Sequence, residues 1–330
     1  MFVVTGASGL LGANLVRALL AEGRAVRALV HRDRRALEGL PVEIVPGDVR
    51  DPASLRRAFA GAEMVYHLAA SISLEMGNWA ELEAVNVQGT RNVVAACLNC
   101  GVGRLVHFSS IHALQQTPLD QPLDETRPPA DSPSLPPYDR SKAAADKEVR
   151  AGLARGLDAV IIYPTAMLGP YDYKPSFLGE AVRLLARGWI PALVEGGFDW
   201  VDARDVAAGA LAAARLAPRG AAYLLSGHWH SVREVAEMVA QVTGRPVPPL
   251  TAPAWLAAAA APVTAALARL AGRQPFFTRA TLLALNSNRS VCSARAEKEL
   301  GYRARPFADT VADTIAWFQL AGMLPEKRLR

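Results

Sequence analysis

The chain begins Met1-Phe2-Val3-Val4-Thr5 and runs directly into Gly6-Ala7-Ser8-Gly9-Leu10-Leu11-Gly12. No other segment limits the fold as much. The apolar, β-branched opening reads as a buried parallel strand. Gly6 permits a tight turn. Gly9 lets the backbone approach a pyrophosphate with no side chain between them, and Gly12 lets the next helix lie close against the strand. That helix is expected over Leu10–Glu22, with Leu11, Leu15, Leu19 and Leu20 toward a sheet and Gly23 ending it. Its first turn offers unpaired N–H groups and the positive dipole end to a phosphate. The alternative is a glycine-rich turn that holds no ligand.

Alternation of strand and helix continues through the first half. Strands are expected at Ala25–Val30, Val42–Val45, Met64–Leu68, Leu105–Phe108 and Ala159–Tyr163, with helices at Ala53–Ala60, Trp79–Gly101 and Tyr138–Gly152. This order predicts a parallel α/β sheet. Thr117–Pro137, rich in Pro and Asp, must be a loop. After Pro164 the pattern changes. Tyr171–Gly197 is an aromatic-rich insertion, Val201–Leu216 a strand-turn-helix and Tyr223–Ser226 a short strand. Helices are expected at Ser231–Gly244, Ala254–Leu270, Arg279–Leu285, Ala294–Leu300 and Phe307–Ala321. The expected architecture is a Rossmann-type doubly wound parallel sheet with a smaller, mainly helical C-terminal substrate region. Residues 1–166 and 199–229 would form the dinucleotide-binding domain, and residues 167–198 and 230–330 the substrate-binding region.

At 330 residues, 51% hydrophobic and 20% charged, the chain is globular with a sizeable core. Its net charge of +5 is mild, and no basic run is interleaved with aromatics, so no nucleic-acid partner is expected. Cys97-x-x-Cys100 lacks a second pair of ligands at metal-binding spacing, so no metal is expected. With Cys292 the count is odd and suggests no disulfide framework, which fits a reducing cytoplasm. With the glycine loop starting at residue 5, no signal peptide is expected. Trp255–Ala268 is apolar but too short to span a bilayer and is interrupted by Pro262. It reads as a helix pair near a substrate pocket, with interfacial attachment as the alternative.

The second decisive segment is Tyr138-Asp139-Arg140-Ser141-Lys142. Residues four apart on a helix share a face. A phenol with a free pKa of about 10 needs help to exchange its proton near neutrality, and a neighbouring ammonium favours the phenolate. Such a pair alone is usually a surface coincidence. Beside a dinucleotide loop it becomes a proton donor next to a redox cofactor.

Taken together, these residues resemble the extended short-chain dehydrogenase/reductase superfamily, in its epimerase/dehydratase-like branch. The resemblance rests on T-G-x-x-G-x-x-G at Thr5–Gly12, G-D-V-R-D at Gly47–Asp51, H-L-A-A at His67–Ala70 and N-V-x-G-T at Asn86–Thr90. F-S-S at Phe108–Ser110, Y-x-x-x-K at Tyr138–Lys142 and Pro164-Thr165 complete it. Within the branch, Gly169–Ser176 and Phe198–Ala207 are similar to dihydroflavonol-4-reductase-like proteins.

The resemblance implies roles. Tyr138 would be the general acid, Lys142 would lower its pKa and bind the nicotinamide ribose, and Ser110 would hydrogen-bond the substrate oxygen. Thr5, Gly6, Ser8, Gly9, Leu10, Leu11 and Gly12 would hold the pyrophosphate. Asp48 would accept from the adenine amine with Val49 beside the ring. Leu68, Ala69 and Ala70 would line the adenosine and ribose, and Pro164 and Thr165 would close the nicotinamide side. Asn86 reads as a residue that positions backbone. His67 and His112 have no Ser or Asp partner at a justifiable spacing and read as packing or polar-rim residues, His112 being the nearer to substrate. The substrate set is Ser71, Met76, His112, Ala166, Tyr171, Phe177 and Trp200, within a wider aromatic and apolar group that includes Trp79, Trp189, Phe276 and Phe277.

NAD-specific relatives carry a carboxylate at the tip of the second strand. Here that tip is Val30-His31-Arg32, and Arg32, helped by His31, Arg34 or Arg35, suits a 2′-phosphate. NADP(H) is therefore expected over NAD(H). Three functions stay open: an NADPH-dependent reductase of a ketone or aldehyde on a small to medium hydrophobic substrate, a nucleotide-sugar epimerase or dehydratase, and a non-catalytic NADP-binding sensor. The partner would be a small molecule, and a homodimer through the helices at Trp79–Gly101 and Tyr138–Gly152 is the family-typical assembly.

Overall fold

The computed structural model describes residues 1–73, 78–261 and 278–325. Seven strands form one parallel sheet: β1 (Phe2–Thr5), β2 (Val26–Val30), β3 (Val42–Pro46), β4 (Met64–His67), β5 (Arg104–Phe108), β6 (Ala159–Pro164) and, after three further strands, β10 (Ala222–Leu225). Their order is β10-β6-β5-β4-β1-β2-β3, so the chain reverses direction across the sheet between β1 and β4. In α/β sheets of this kind the crevice at such a reversal, beyond the carboxyl ends of the strands, is where ligands bind.

Strand alternation builds two cores. Val4, Tyr66, Val106 and Ile162 face one layer with Leu15 and Leu19 of α1 (Leu10–Ala21) and Val206 and Ala210 of α7 (Ala203–Leu216). Val3, Val65, Leu105 and Ile161 face the other, against α2 (Pro52–Phe59), α4 (Gly89–Asn99) and α5 (Pro137–Ala154). Residues pointing to opposite faces of one pleated strand thus hold helices on both sides.

The helix expected over Trp79–Gly101 is divided. A short α3 (Trp79–Leu82) passes through a π-helical turn at Glu83–Gln88 into α4. Such wide turns reposition side chains and cluster at functional sites. Beyond β6 the chain makes two small sheets absent from the sequence-based expectation. One is β7 (Ala166–Leu168), β9 (Gly197–Asp202) and β11 (His228–Ser231); the other is β8 (Ala192–Val194) with β12 (Leu250–Ala252). With α6 (Phe177–Arg187), α8 (Val232–Thr243) and the helix Phe307–Leu320 they enclose a third core around Trp200, Phe307 and Phe318. The apolar segment at Trp255–Ala268 is helical as far as 261, and its remainder lies outside the described residues. Among the described residues no helix is long and apolar enough to cross a membrane.

Candidate active site

Two glycines of the loop after β1 are demanded by the protein itself. Gly6 has φ +70°, and a Cβ there would lie 2.7 Å from the Ala69 amide nitrogen. A Cβ on Gly12 would run into the Gly6 carbonyl oxygen. Gly9 differs. A Cβ there would meet only the Gly6 oxygen, at an ordinary 3.5 Å. It caps α1 without a side-chain hydrogen bond, and the first turn of α1 carries no acidic residue. An exposed glycine that the fold does not need, at the open N-terminus of a helix, leaves room for an anionic group. The loop therefore fits a dinucleotide pyrophosphate.

A relay of hydrogen bonds joins this loop to the proton-donating helix. The Ala69 amide donates to Thr5 Oγ1 at 3.2 Å, and Thr5 Oγ1 lies 2.8 Å from His67 Nδ1. His67 Nε2 lies 3.1 Å from Thr90 Oγ1, which donates to the Asn86 carbonyl at 2.6 Å. The donors on either side assign the His67 proton to Nε2. Burial holds this imidazole well below its usual pKa, so it is neutral. Asn86, presented by the π-helical turn, accepts from the Ser71 amide at 2.8 Å and donates to the Ser71 carbonyl and to Ser141 Oγ, each at 2.9 Å. Ser141 Oγ donates to the Tyr138 carbonyl at 2.7 Å. His67 is thus a framework residue, and Asn86 positions both Ser71 and α5. The signal for the latter was a polar residue interrupting an apolar helical pattern.

Ser110 ends the run after β5 and caps a short 3-10 turn at Ile111–Ala113. Its Oγ accepts from the His112 amide at 3.2 Å, leaving its own proton for the Tyr138 phenol, to which it is hydrogen-bonded. Ser109, the neighbouring candidate, has a buried hydroxyl with no such partner. Tyr138 opens α5 and is pushed up to about 12 by burial, against the opposing Ser110 hydrogen bond. Lys142, one turn on, is only 3% exposed and donates from Nζ to the Phe108 carbonyl at 2.8 Å. Burial pulls it down to about 8. At Tyr138 the effect of burial outweighs the Ser110 hydrogen bond. Tyr138 accordingly carries its proton throughout the neutral range, as a proton donor must.

His112 does have a carboxylate partner, contrary to the sequence-based reading: its Nδ1 lies 3.8 Å from Asp139 Oδ1, and its ring lies 6.4 Å from that of Tyr138. The partner was hidden because Asp139 stands on a distant element. Asp48 sits at the carboxyl edge of β3, held by Arg50 at 2.6 Å and by His31 Nε2 at 3.4 Å. Val49 is buried against α4 and would contact a Cβ on Gly89. Asp33 is taken by Arg35 at 2.6 Å, whereas Arg32 is exposed and makes no ion pair among the described residues. Leu68 and Ala69 are half-buried beside Gly6, and Ala70 is exposed. Pro164 and Thr165 close the end of β6, where the Thr165 hydroxyl is buried with no hydrogen-bond partner among the described residues.

The substrate candidates separate. Ser71 and Ala166 flank the carboxyl edge, with Ser71 Oγ donating to Glu81 at 3.0 Å. Tyr171 instead packs between the Arg17 guanidinium, 4.0 Å above its ring, and Trp317, in a loop tied to α1 by Asn14 donating to the Pro170 carbonyl. Trp200, 4% exposed, is core: its ring meets Phe198 and Phe307, and its Nε1 donates to the His230 carbonyl. Trp189 is exposed under Arg187, and Trp79 lies under Arg140. Phe177 opens α6 and is half-buried. Met76, Phe276 and Phe277 lie outside the described residues. Among the described residues no group of His, Cys, Asp or Glu could hold a metal ion.

Residues 2–225 match the model of the NAD dependent epimerase/dehydratase family. The chain is similar to sterol demethylase protein B of Methylococcus capsulatus, with 39% identity over 326 residues, covering 98% of this chain and 99% of the relative. It is 31% identical over 314 residues to a 4-hydroxy-2-methyl-3-oxo-4-farnesyl-3,4-dihydroquinoline-1-oxide ketoreductase of Stigmatella aurantiaca, covering 92% of this chain and 91% of that one. Among solved structures it resembles a nucleoside-diphosphate-sugar epimerase from Pseudomonas aeruginosa, with a TM-score of 0.78 and 26% identity, over 98% of each chain. With a glycine cradle shaped for a dinucleotide and the Ser–Tyr–Lys set beside it, the chain belongs to the NAD dependent epimerase/dehydratase family of extended short-chain dehydrogenase/reductases and is an oxidoreductase.

Proposed function

We propose that the chain is an NADPH-dependent reductase of a ketone or aldehyde, running reversibly as an alcohol dehydrogenase, on a small to medium hydrophobic substrate. The observation that carries this reading is a protonated Tyr138 hydrogen-bonded by Ser110, with the Lys142 ammonium one turn behind. When bound, NADPH supplies the hydride that reduces the carbonyl carbon. Ser110 polarises the carbonyl oxygen, and Tyr138 delivers its proton to that oxygen as negative charge develops. Two of the three Lys142 protons have no partner among the described residues, and they suit the ribose hydroxyls. The substrate would enter between the sheet's carboxyl edge and residues 167–198 and 230–330. The names of the sterol and farnesyl-quinoline relatives favour an apolar ring substrate.

Oxidation of NADPH, followed by its absorbance across a panel of ketones and aldehydes with NADH in parallel, tests this. Turnover with NADPH supports the reading. Tight cofactor binding with silence across the panel overturns it in favour of an epimerase or dehydratase that recycles its nicotinamide internally. Arg32→Ala should weaken NADPH by roughly tenfold or more, as loss of a charge-assisted hydrogen bond does, and leave NADH nearly unchanged; equal losses would remove the phosphate role. Lys142 is charged below its depressed pKa of about 8 and neutral above it. Carbonyl reduction should therefore fall as pH rises through that value, and a pH–rate profile flat well above it would exclude a role for the ammonium.

A further inference from the structure

Behind Lys142 lies a buried ionisable cluster that the proposed reaction does not use. Asp146 is the next turn of α5 and is 5% exposed; His107, on β5 beside Phe108, is 1% exposed. Asp146 Oδ1 and His107 Nε2 are 3.4 Å apart but not in hydrogen-bond geometry, and neither atom has a hydrogen-bond partner among the described residues. Tyr163 on β6 hydrogen-bonds the same carboxylate, with Arg150 reaching the Tyr163 hydroxyl at 3.4 Å. His67 on β4 stands 5.4 Å, ring to ring, from His107. Both imidazoles are pushed down by burial and Arg150 is exposed, so Lys142 is the buried basic side chain of this cluster, one helical turn from Asp146.

A carboxylate in such a place is costly, and apolar residues of similar volume would pack there at less expense. Buried polar atoms with so few partners call for a function. We infer that the His107–Asp146 pair is a positioning device for Lys142, holding a fixed counter-charge behind the ammonium so that it stays charged and aimed at the cofactor ribose. The inference rests on the Tyr138–Lys142 reading above. Asp146 opposes the effect of burial on Lys142, and His107 and Tyr163 hold its carboxyl group in place.

The chain has five lysines, so ζ-nitrogen resonances of lysine-labelled protein can be followed through pH, with Lys142→Arg identifying the resonance of interest. Lys142 should titrate below the others. In Asp146→Asn its titration should move down by about one pH unit or more, as loss of a near opposite charge implies, and Asp146→Glu should restore it. NADPH and NADH affinity, read by fluorescence without substrate, should lose strength at the same lowered pH in Asp146→Asn. A folded Asp146→Asn with Lys142 titrating as in the wild type overturns the inference. Equal shifts in Asn and Glu variants overturn it too, by assigning the effect to packing. If Asp146→Asn does not fold, His107→Asn should shift Lys142 in the same direction by less, and an unmoved lysine is the contrary result. These readouts need no turnover, so a failed carbonyl panel would sink the reductase reading without touching this one.

Discussion

Tyr138→Phe should abolish carbonyl reduction, a loss of ~10²–10⁴ in kcat for removal of a positioned general acid, while cofactor affinity stays nearly intact. The asymmetry follows from where the hydroxyl points. It meets Ser110, whereas the Tyr138 backbone is held by Ser141 and, through it, by Asn86. Phenylalanine keeps the ring and the helix start, so neither Lys142 nor the glycine loop should shift. Ser110→Ala should act in the same direction but less, because the phenol would remain to donate. Titration with NADPH alone, set beside steady-state rates on any substrate found active, separates the two effects. Unchanged turnover in Tyr138→Phe would sink the mechanism. A parallel loss of cofactor binding would mean that the ring is part of the cradle instead.

The sheet was legible because its strands are short and mostly apolar, all but the edge strand β3 being largely buried, and because glycine turns and helices separate them. The helices Arg279–Leu285 and Ala294–Leu300 were also read with their observed ends, since amphipathic spacing and flanking caps mark them. What could not be read were three-residue strands such as β7, β8 and β12, whose identity depends on partners far away in the chain. The π-helical turn at Glu83–Gln88 has no local signature either. The same distinction holds at the site. Ser110, Tyr138 and Lys142 announce themselves by motif. Partners such as Asp139 for His112, or His107 for Asp146, come together only when β5 and α5 pack. Tyr171 and Trp200, expected from their aromatic character to line a pocket, have cation and core partners that likewise come from distant elements.

Gly12→Ala should cost both fold stability and the cofactor, and Gly9→Ala only the cofactor. At position 12 the added carbon would strike the Gly6 carbonyl oxygen and come within 2.8 Å of Ala7 Cα, both backbone atoms that cannot rotate away. Gly6 has little room to retreat, since even a Cβ built on it would lie 2.8 Å from the Leu68 carbonyl carbon. The helix α1 would have to slide off β1, at a cost of about 1–3 kcal/mol or more for overpacking, and its N-terminal amides would leave the phosphate position. The melting temperature should therefore drop and NADPH binding fall beyond measurement. At position 9 the added carbon makes one ordinary contact, and the backbone, at φ −76°, suits alanine. That variant should melt like the wild type. Its methyl would occupy the space the pyrophosphate needs, so affinity should still fall by an order of magnitude or more, roughly the cost of a misfit of 1–3 kcal/mol. Wild-type affinity in a stable Gly9→Ala would place the cofactor phosphates elsewhere than the end of α1, and the assignment of the whole loop would fall with it.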